Sequence, residues 1–172
     1  LLEKDDQFLI LAQEAQERYA RELKDFTVVK EINGTELVGL TYEPLFPYFA
    51  KQEGAFRVIA GDFVEAGSGT GTVHIAPGFG EEDMEVAKKE NIPIVVPVDE
   101  AGLFTAEITD YAGQNVILEA NDKIIRDLKA RKNVVLKHDQ ILHNYPHCWR
   151  TDQPLIYKAG TPWKKGGPLY NT

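Results

Sequence analysis

His74 and Asp83 are the two residues whose types and spacing best suit chemistry on a shared ligand. His74 lies in a short apolar run, and Asp83 follows nine residues later, beyond the glycine-rich loop 77–80. Glycines let a backbone and a ligand approach closely, so a strand–loop–helix turn could bring both side chains onto one ligand. If Asp83 points inward, its natural partner is a cation such as an α-ammonium group.

Each of these residues also has a structural interpretation that the sequence leaves open. His74 in an apolar strand fits a core histidine satisfied by its neighbours. Asp83 fits an exposed first-turn carboxylate, which stabilises a helix dipole by roughly 0.3–1 kcal/mol. The Gly69-x-Gly71 pair is weak evidence for a nucleotide site, because that fingerprint places its glycines after a strand and at the start of a helix.

Other reactive residues form no strong pattern. His143, His147 and Cys148 are spaced somewhat like metal ligands, but a structural zinc site usually needs four ligands, mostly thiolates, and the chain has one cysteine. We therefore predict that no metal is bound and that these histidines are surface or core residues. We also predict that the Cys148 thiol is buried and inert. Ser68 is the only serine and lies outside a Gly-x-Ser-x-Gly elbow, which disfavours a serine hydrolase.

The composition is typical of a globular domain of 172 residues, with 43% apolar and 27% charged residues. No apolar run approaches the roughly 20 residues of a membrane helix, so no membrane partner is expected. The single cysteine excludes an internal disulfide and favours a reducing compartment such as the cytoplasm. A net charge of -8 disfavours broad neutralisation of nucleic-acid phosphates, but allows a pocket that receives only the end of a nucleic acid.

The hydrophobic pattern predicts an α+β fold with about three helices and a mixed, barrel-like β-sheet core. We predict a first helix capped by Asp5 or Asp6 with an apolar face from Phe8 to Leu23, a second over 81–90, and a third capped by Asn121. Asn33-Gly34 predicts a hairpin turn, and the proline- and aromatic-rich stretch 42–49 predicts a packed surface loop. The predicted strands are 26–32, 36–40, 56–60, 72–75, 94–98, 103–108, 134–142 and 155–157. Residues 160–172 have loop composition and no assigned element.

Two sequence runs resemble motifs of the isoleucyl-tRNA synthetases. Residues 69–83, GTGTVHIAPGFGEED, are similar to the editing-site signature of that family, and residues 143–159, HNYPHCWRTDQPLIYKA, to a downstream segment. The shorter runs 45–49 and 96–99 fit as well and come in the right order. Valyl and leucyl relatives share the Gly-Thr-Gly-x-Val frame but usually lack the histidine followed by Ala-Pro.

The resemblance implies that residues 1–159 are the editing domain, or connective polypeptide, of a class I aminoacyl-tRNA synthetase, which is a ligase. Such a domain hydrolyses valine wrongly esterified to isoleucine tRNA, because binding alone separates side chains differing by one methylene only about 10–200-fold. By this resemblance Asp83 anchors the substrate ammonium, and His74 lines the pocket, helps to place the ribose and excludes isoleucine. The substrate-binding positions implied are Gly71, Thr72, Gly78, Phe79, Gly80 and Tyr145.

The resemblance also implies partners and an alternative. The expected partners are the 3′ end of isoleucine tRNA carrying valine, valyl-adenylate, and the rest of the synthetase. Editing is expected to need no cofactor, since ATP serves only the aminoacylation core. The family has a threonine-rich segment upstream that lines the hydrolytic pocket, and this sequence begins after that point. The alternative is therefore a non-catalytic module that receives the tRNA 3′ end.

Overall fold

A computed structural model describes residues 1–132, 134–140 and 142–160 of the chain. Within these residues it contains three α-helices, a three-stranded antiparallel sheet of order β2-β1-β3, and one 3-10 helix. The α+β class is thus confirmed, but the sheet is small and open, so a mixed, barrel-like core is not confirmed. The elements in chain order are β1 Leu2–Lys4, β2 Gln7–Leu9, α1 Ala15–Arg18, β3 Thr27–Val28, the 3-10 helix Gly34–Leu37, α2 Glu81–Lys89 and α3 Ala120–Ala130.

The N-terminus forms a β-hairpin, so the long first helix predicted there is wrong. Strands β1 and β2 pair with Lys4 opposite Gln7, which leaves Asp5 and Asp6 as a two-residue turn. Both aspartates have positive φ, 47° and 62°, as a type I′ turn requires. Aspartate tolerates this left-handed conformation because its short polar side chain can bond locally. Only α1 remains of the predicted helix.

Asn33 begins a 3-10 helix, so the predicted hairpin turn and the returning strand 36–40 are also wrong. Its side chain accepts a hydrogen bond from the Thr35 N–H at 3.2 Å, and its own N–H donates to the Glu36 carboxylate at 2.8 Å. This reciprocal capping box satisfies backbone donors that would otherwise be unpaired. Asparagine serves caps and turns equally well, and here the nearby glutamate favours the cap.

Most other predicted strands are replaced by irregular segments joined at single bridges. Thr41 bridges Arg57, and Val98 bridges Phe104, but neither contact extends into a regular strand. Prolines explain part of this result, since a residue without an N–H cannot continue a ladder and Pro93, Pro97 and Pro154 fall in or beside these segments. Segments 72–75, 134–140 and 155–157 contain no strand among the described residues. Strand β3 is shorter than predicted.

The two long helices are confirmed: α2 ends one residue earlier than predicted, and α3 begins two residues earlier than a cap at Asn121 implies. Ala87 is the fully buried residue of α2. The predicted cap Asn121 is wrong, because it lies inside α3, whose N-cap is Glu119. The stretch 42–49 is a packed loop as predicted, with the Phe46 ring stacked on Tyr48. Residues 161–172, most of the predicted tail, lie outside the described residues. The assignment of 1–159 to one domain stays a prediction.

The buried core is small and lacks large, fully buried side chains within the described residues. Its apolar members come from the hairpin, from all three helices and their flanks, and from the segment between α2 and α3. They are Leu2, Ala15, Leu23, Ala87, Val98, Ile108, Tyr111 and Ala120. None of the described helices has the length and apolar character needed to cross a membrane.

Candidate functional site

A cavity of about 800 Å³ lies among three irregular segments that lead toward α2. Ligand sites typically occupy roughly 300–1,000 Å³, so its size suits a small molecule or the end of a polymer. One wall is formed by residues 71–79, which follow the glycine-rich turn and precede α2. The others come mainly from 34–64 and from 92–97; their larger side chains are Leu37, Tyr42, Tyr48, Phe49, Gln52, Phe56, Arg57, Ile59, Ile92 and Val95.

Five of the eight predicted site residues line this cavity. They are Gly71, Thr72, His74, Gly78 and Phe79. His74 is exposed rather than buried, which rules out the interpretation as a satisfied core histidine. Its imidazole has no hydrogen-bond partner within the described part of the chain, so both ring nitrogens can meet a ligand. The wall therefore presents a titratable ring to the cavity.

Asp83 lies beyond the lining residues, at the third position of α2. Its Oδ2 atom accepts a hydrogen bond from the Ala76 N–H at 3.0 Å, which holds the loop 76–80 against the start of the helix. The carboxylate is half-buried, unlike those of Glu81 and Glu82, so the exposed first-turn interpretation fits those two glutamates better. Gly80 also lies outside the lining, and a Cβ there would lie 2.7 Å from Asp83 Oδ2. The predicted contact of Asp83 with an ammonium group stays a prediction.

Two positions in the wall require glycine because other segments of the chain approach their backbone closely. Gly71 has a φ of 79°, and a Cβ there would collide with the Ala12 side chain. Gly78 is buried, and a Cβ there would lie 2.5 Å from the Val95 carbonyl oxygen. The Gly78 carbonyl in turn accepts a hydrogen bond from the Ala159 N–H at 2.7 Å. Glycine at these positions lets three distant segments close around the wall.

The glycine-rich turn before the wall is held by residues that sequence reasoning missed. The Arg18 guanidinium donates one hydrogen bond to the Gly69 carbonyl at 2.7 Å and another to the Gly67 carbonyl. The Ala12 N–H donates to the Thr70 carbonyl at 2.8 Å. These partners are about fifty residues apart in the chain, and an arginine in a helix gives no sequence signal of such a contact.

The interior of the cavity is largely apolar and carries little free charge. Among its described lining residues Arg57 alone is permanently ionised. Its guanidinium is already used, donating to the Glu90 carboxylate at 3.0 Å, the Glu90 carbonyl at 3.1 Å and the Gly54 carbonyl at 3.0 Å. An apolar cavity with a few polar atoms from His74, Thr72 and tyrosines suits an apolar side chain joined to a polar group.

Tyr145 lies in a separate hairpin and is not among the described lining residues of the cavity. Its hydroxyl donates to the Leu155 carbonyl at 2.8 Å, and its ring contacts His143 and His147 edge-on at 6.0 and 6.2 Å. After this hairpin the chain meets the cavity wall where the Ala159 N–H donates to the Gly78 carbonyl. A substrate contact by Tyr145 stays a prediction.

The histidines and Cys148 form no metal cluster in the described residues, since no three His, Cys, Asp or Glu side chains come together there. His138, His143 and His147 are all exposed, and Lys129 Nζ lies 3.1 Å from the His138 ring. Cys148 is half-buried rather than buried, which corrects the prediction. Hydrogen bonds from the Thr151 side chain and from backbone N–H groups lower the pKa of this thiol below its ordinary value.

Nearly the whole chain is similar to a segment of isoleucine–tRNA ligases. It is 50% identical over 168 residues to an isoleucine–tRNA ligase of Rickettsia bellii, a match that covers 95% of the chain. A second, from Bdellovibrio bacteriovorus, is 54% identical over 142 residues, or 81% of the chain. The chain spans only about 15% and 13% of the length of these relatives. No protein-family model matches the sequence.

Proposed function

We propose that this chain, which is homologous to a segment of the isoleucine–tRNA ligases, is an editing domain that hydrolyses valine wrongly esterified to isoleucine tRNA. The observation that carries the proposal is the cavity of about 800 Å³ whose wall contains His74 and the glycine-rich segment 71–79. The matched relatives are isoleucine–tRNA ligases. The cavity is a place where a wrongly charged tRNA could be hydrolysed, apart from the site that joins amino acid and tRNA.

The reaction needs orientation more than a strong nucleophile, because an aminoacyl ester is already activated. A water oxygen attacks the ester carbonyl carbon, the bond from that carbon to the ribose oxygen breaks, and the water proton passes to the ribose oxygen. Valine then leaves as the free amino acid. His74 lies where it could orient the water or the terminal ribose. The Gly78 N–H could stabilise the developing oxyanion, since the Phe79 and Gly80 N–H groups already donate to the Ala76 carbonyl.

Substrate binding divides between the apolar wall and Asp83. The wall would receive the valine side chain, and Asp83 would hold the α-ammonium group. Its Oδ2 is bonded to the Ala76 N–H, but an ionised carboxylate has about four acceptor sites, so a second partner is allowed. Thr72 and Phe79 would shape the remaining contacts, and Gly80, outside the lining, would leave room for the Asp83 carboxylate.

The selection step would be a size sieve. One methylene is worth only about 1–3 kcal/mol in a hydrophobic pocket, so a first site for isoleucine admits some valine. A separate editing site that accepts valine and excludes isoleucine would correct this error. The partners of the domain would be the 3′ end of the charged tRNA, valyl-adenylate and the rest of the ligase. Editing would take place in the cytoplasm and would need no cofactor.

The test is release of valine from valylated isoleucine tRNA by a full-length ligase that carries this segment. Asp83→Asn should slow release about ten- to a hundredfold, because it removes a charge partner worth roughly 1.5–3 kcal/mol while an amide oxygen can still accept from Ala76. Glu82→Gln is the matched control, since it removes an exposed charge from the same helical turn.

The outcomes separate the two candidate functions. Release by wild type, loss in Asp83→Asn and retention in Glu82→Gln support editing. A wild-type enzyme that binds the tRNA end but releases no valine supports the non-catalytic receiving module instead. Equal rates in all three proteins would remove Asp83 from the site.

A further inference from the structure

The part of the cavity wall next to the glycine-rich turn, residues 72–74, is exposed rather than packed. Thr72 lines the main cavity on one side and also lines a second cavity of about 460 Å³ on the other. The second cavity is bounded by an apolar group from the N-terminal region and by the segment after α3: Leu9, Ile10, Leu11, Tyr19, Leu23 and residues 134–137. Thr72 is the residue of the described cavity wall that the two cavities share. Rigidity at Thr72 must come from another source, because cavities on two sides leave this residue few packed neighbours.

Polar contacts from the N-terminal region supply that rigidity. Arg18 binds the carbonyls of Gly67 and Gly69 with the two arms of its guanidinium, and Ala12 binds the next carbonyl, that of Thr70. Gly71 then packs directly against Ala12. Four positions of the turn, 67 and 69–71, are thus anchored, and the anchor ends where the cavity wall begins.

The anchor is itself fixed to the core. Arg18 ends α1, and the first residue of that helix, Ala15, is fully buried. Arg18 is exposed and forms no ion pair within the described part of the chain, so its charge is directed only at the two carbonyls. A planar guanidinium can hold two acceptors in a fixed geometry, which a lysine ammonium cannot.

The hydroxyl groups of the two threonines carry this order to the site. Thr70 Oγ1 lies 3.1 Å from Thr72 Oγ1 and donates to the Thr72 carbonyl at 3.2 Å. Thr72 is two residues from His74 and shares the same cavity wall. A shift of the turn would therefore displace the wall residues that face a ligand.

We propose that Arg18 is a positioning residue of the cavity: it fixes the turn 67–71 and so sets the placement of Thr72 and His74. This inference rests on the proposed function for its catalytic consequence, but its structural part can be measured without any substrate. Arg18 is not among the described lining residues of the cavity, and it acts through the glycine carbonyls.

The experiment compares Arg18→Ala, Arg18→Lys and the control Arg21→Ala in a full-length ligase that carries this chain. Arg21 is an exposed arginine in the same region, so its loss removes the same charge. Hydrogen–deuterium exchange in peptides spanning 67–74 should rise several-fold in Arg18→Ala, less in Arg18→Lys, and stay at the wild-type rate in Arg21→Ala. Exchange in α3 should not change in any variant.

The kinetics of valyl-tRNA hydrolysis are measured as well, because a purely structural role of Arg18 would leave them unchanged. We expect kcat to fall about tenfold in Arg18→Ala with little change in KM, because a misplaced wall slows chemistry more than tRNA binding. Arg18→Lys should recover part of the loss. Faster exchange without a change in kcat would show that Arg18 only stabilises the turn, and it would overturn the proposal.

Different outcomes overturn the positioning role of Arg18 and the editing activity. If wild type hydrolyses valyl-tRNA and Arg18→Ala matches Arg21→Ala in exchange and kcat, the positioning role is wrong while editing stands. If wild type does not hydrolyse it, editing fails; the positioning role then holds only if Arg18→Ala both accelerates exchange and weakens binding of a nonhydrolysable valyl-adenosine mimic. If Arg18→Ala does not fold, Arg18→Lys against Arg21→Ala decides by the same criteria.

Discussion

The cavity wall, residues 71–79, and the cluster around Tyr111 are held together by different kinds of contact. The Tyr111 cluster consists of an aromatic centre with charged neighbours: Tyr111, Phe46, Phe104, Lys123 and Asp127. Tyr111 is only 3% exposed, with ring centroids of Phe46 and Phe104 at 6.0 and 6.2 Å. The cavity wall instead has exposed His74, two closely approached glycines, and polar anchors at each end.

The difference separates stability from recognition. Buried aromatic area dominates the energetics of a small core, whereas a wall that must admit a ligand cannot be filled. The wall is therefore fixed from outside by hydrogen bonds and by glycines that permit close backbone approach. Substitutions in the Tyr111 cluster should act mainly on folding, and substitutions in the wall mainly on ligand handling.

The largest expected effect is that of Tyr111→Ala. Removing a buried aromatic ring should lower the free energy of unfolding by about 3–5 kcal/mol, as large-to-small aromatic substitutions in cores do. Urea unfolding checks this value, with exposed Tyr157→Ala as the control because that side chain is largely solvated. A loss no greater than that of the control would break the contrast between the two regions.

Gly78→Ala should have the next largest effect, because its methyl group would meet the Val95 carbonyl oxygen at 2.5 Å. Overpacking of this kind costs about 1–3 kcal/mol when the neighbour is backbone and cannot rotate away. Gly67→Ala is the matched control, since a Cβ there meets nothing within 4 Å. Thermal unfolding of the two variants compares them directly, and equal melting temperatures would contradict the close approach described here.

Asp83→Ala should have a smaller effect on stability, about 1–2 kcal/mol, through loss of the charge-assisted hydrogen bond from the Ala76 N–H. Asp83→Asn should recover about half of this, since its amide oxygen still accepts. Denaturant titrations of the two variants and of Glu82→Gln measure the contribution. If Asp83→Ala is as stable as wild type, the carboxylate does not hold the loop and is available entirely to a ligand.

The smallest effect concerns the response of the Tyr111 cluster to alkali. Burial and the hydrogen bond to Asp127 raise the pKa of Tyr111 to about 12. The folded protein thus favours the neutral phenol, so this contribution is complete below about pH 10 and is lost as the pH rises toward about 12. Tyr111→Phe should flatten the fall in unfolding free energy over that window, measured against Tyr157→Phe. An unchanged slope would remove the hydroxyl from the account.

The sequence predicted the features that depend on interactions within one element. Helices α2 and α3 were predictable because their apolar spacing and acidic first turns act within one element. Five wall residues were predictable from the glycine-rich motif and the family resemblance. Local signals failed where two outcomes share one signature, as at Asp5 and Asp6, which were expected to cap a helix but form a type I′ turn.

Contacts between distant segments were beyond prediction. The single bridges that replace the expected strands depend on which segments meet, as do the contacts of Ala12 and Arg18 with the turn 67–71. No periodicity records a bond between residues about fifty positions apart. The cavity likewise draws its far walls from aromatic residues of the loop 42–49 and from Phe56, whose shared face emerges only after folding.

Release of labelled isoleucine from correctly charged tRNA shows whether the His74 cavity acts as a size sieve. In a full-length ligase carrying this chain, wild type should spare isoleucyl-tRNA. His74→Ala should hydrolyse it, because removing the imidazole from the wall opens room for one more methylene, a difference of only about 1–3 kcal/mol. If the variant instead loses valyl-tRNA hydrolysis and still spares isoleucyl-tRNA, His74 acts on the ester or the ribose and is not the sieve.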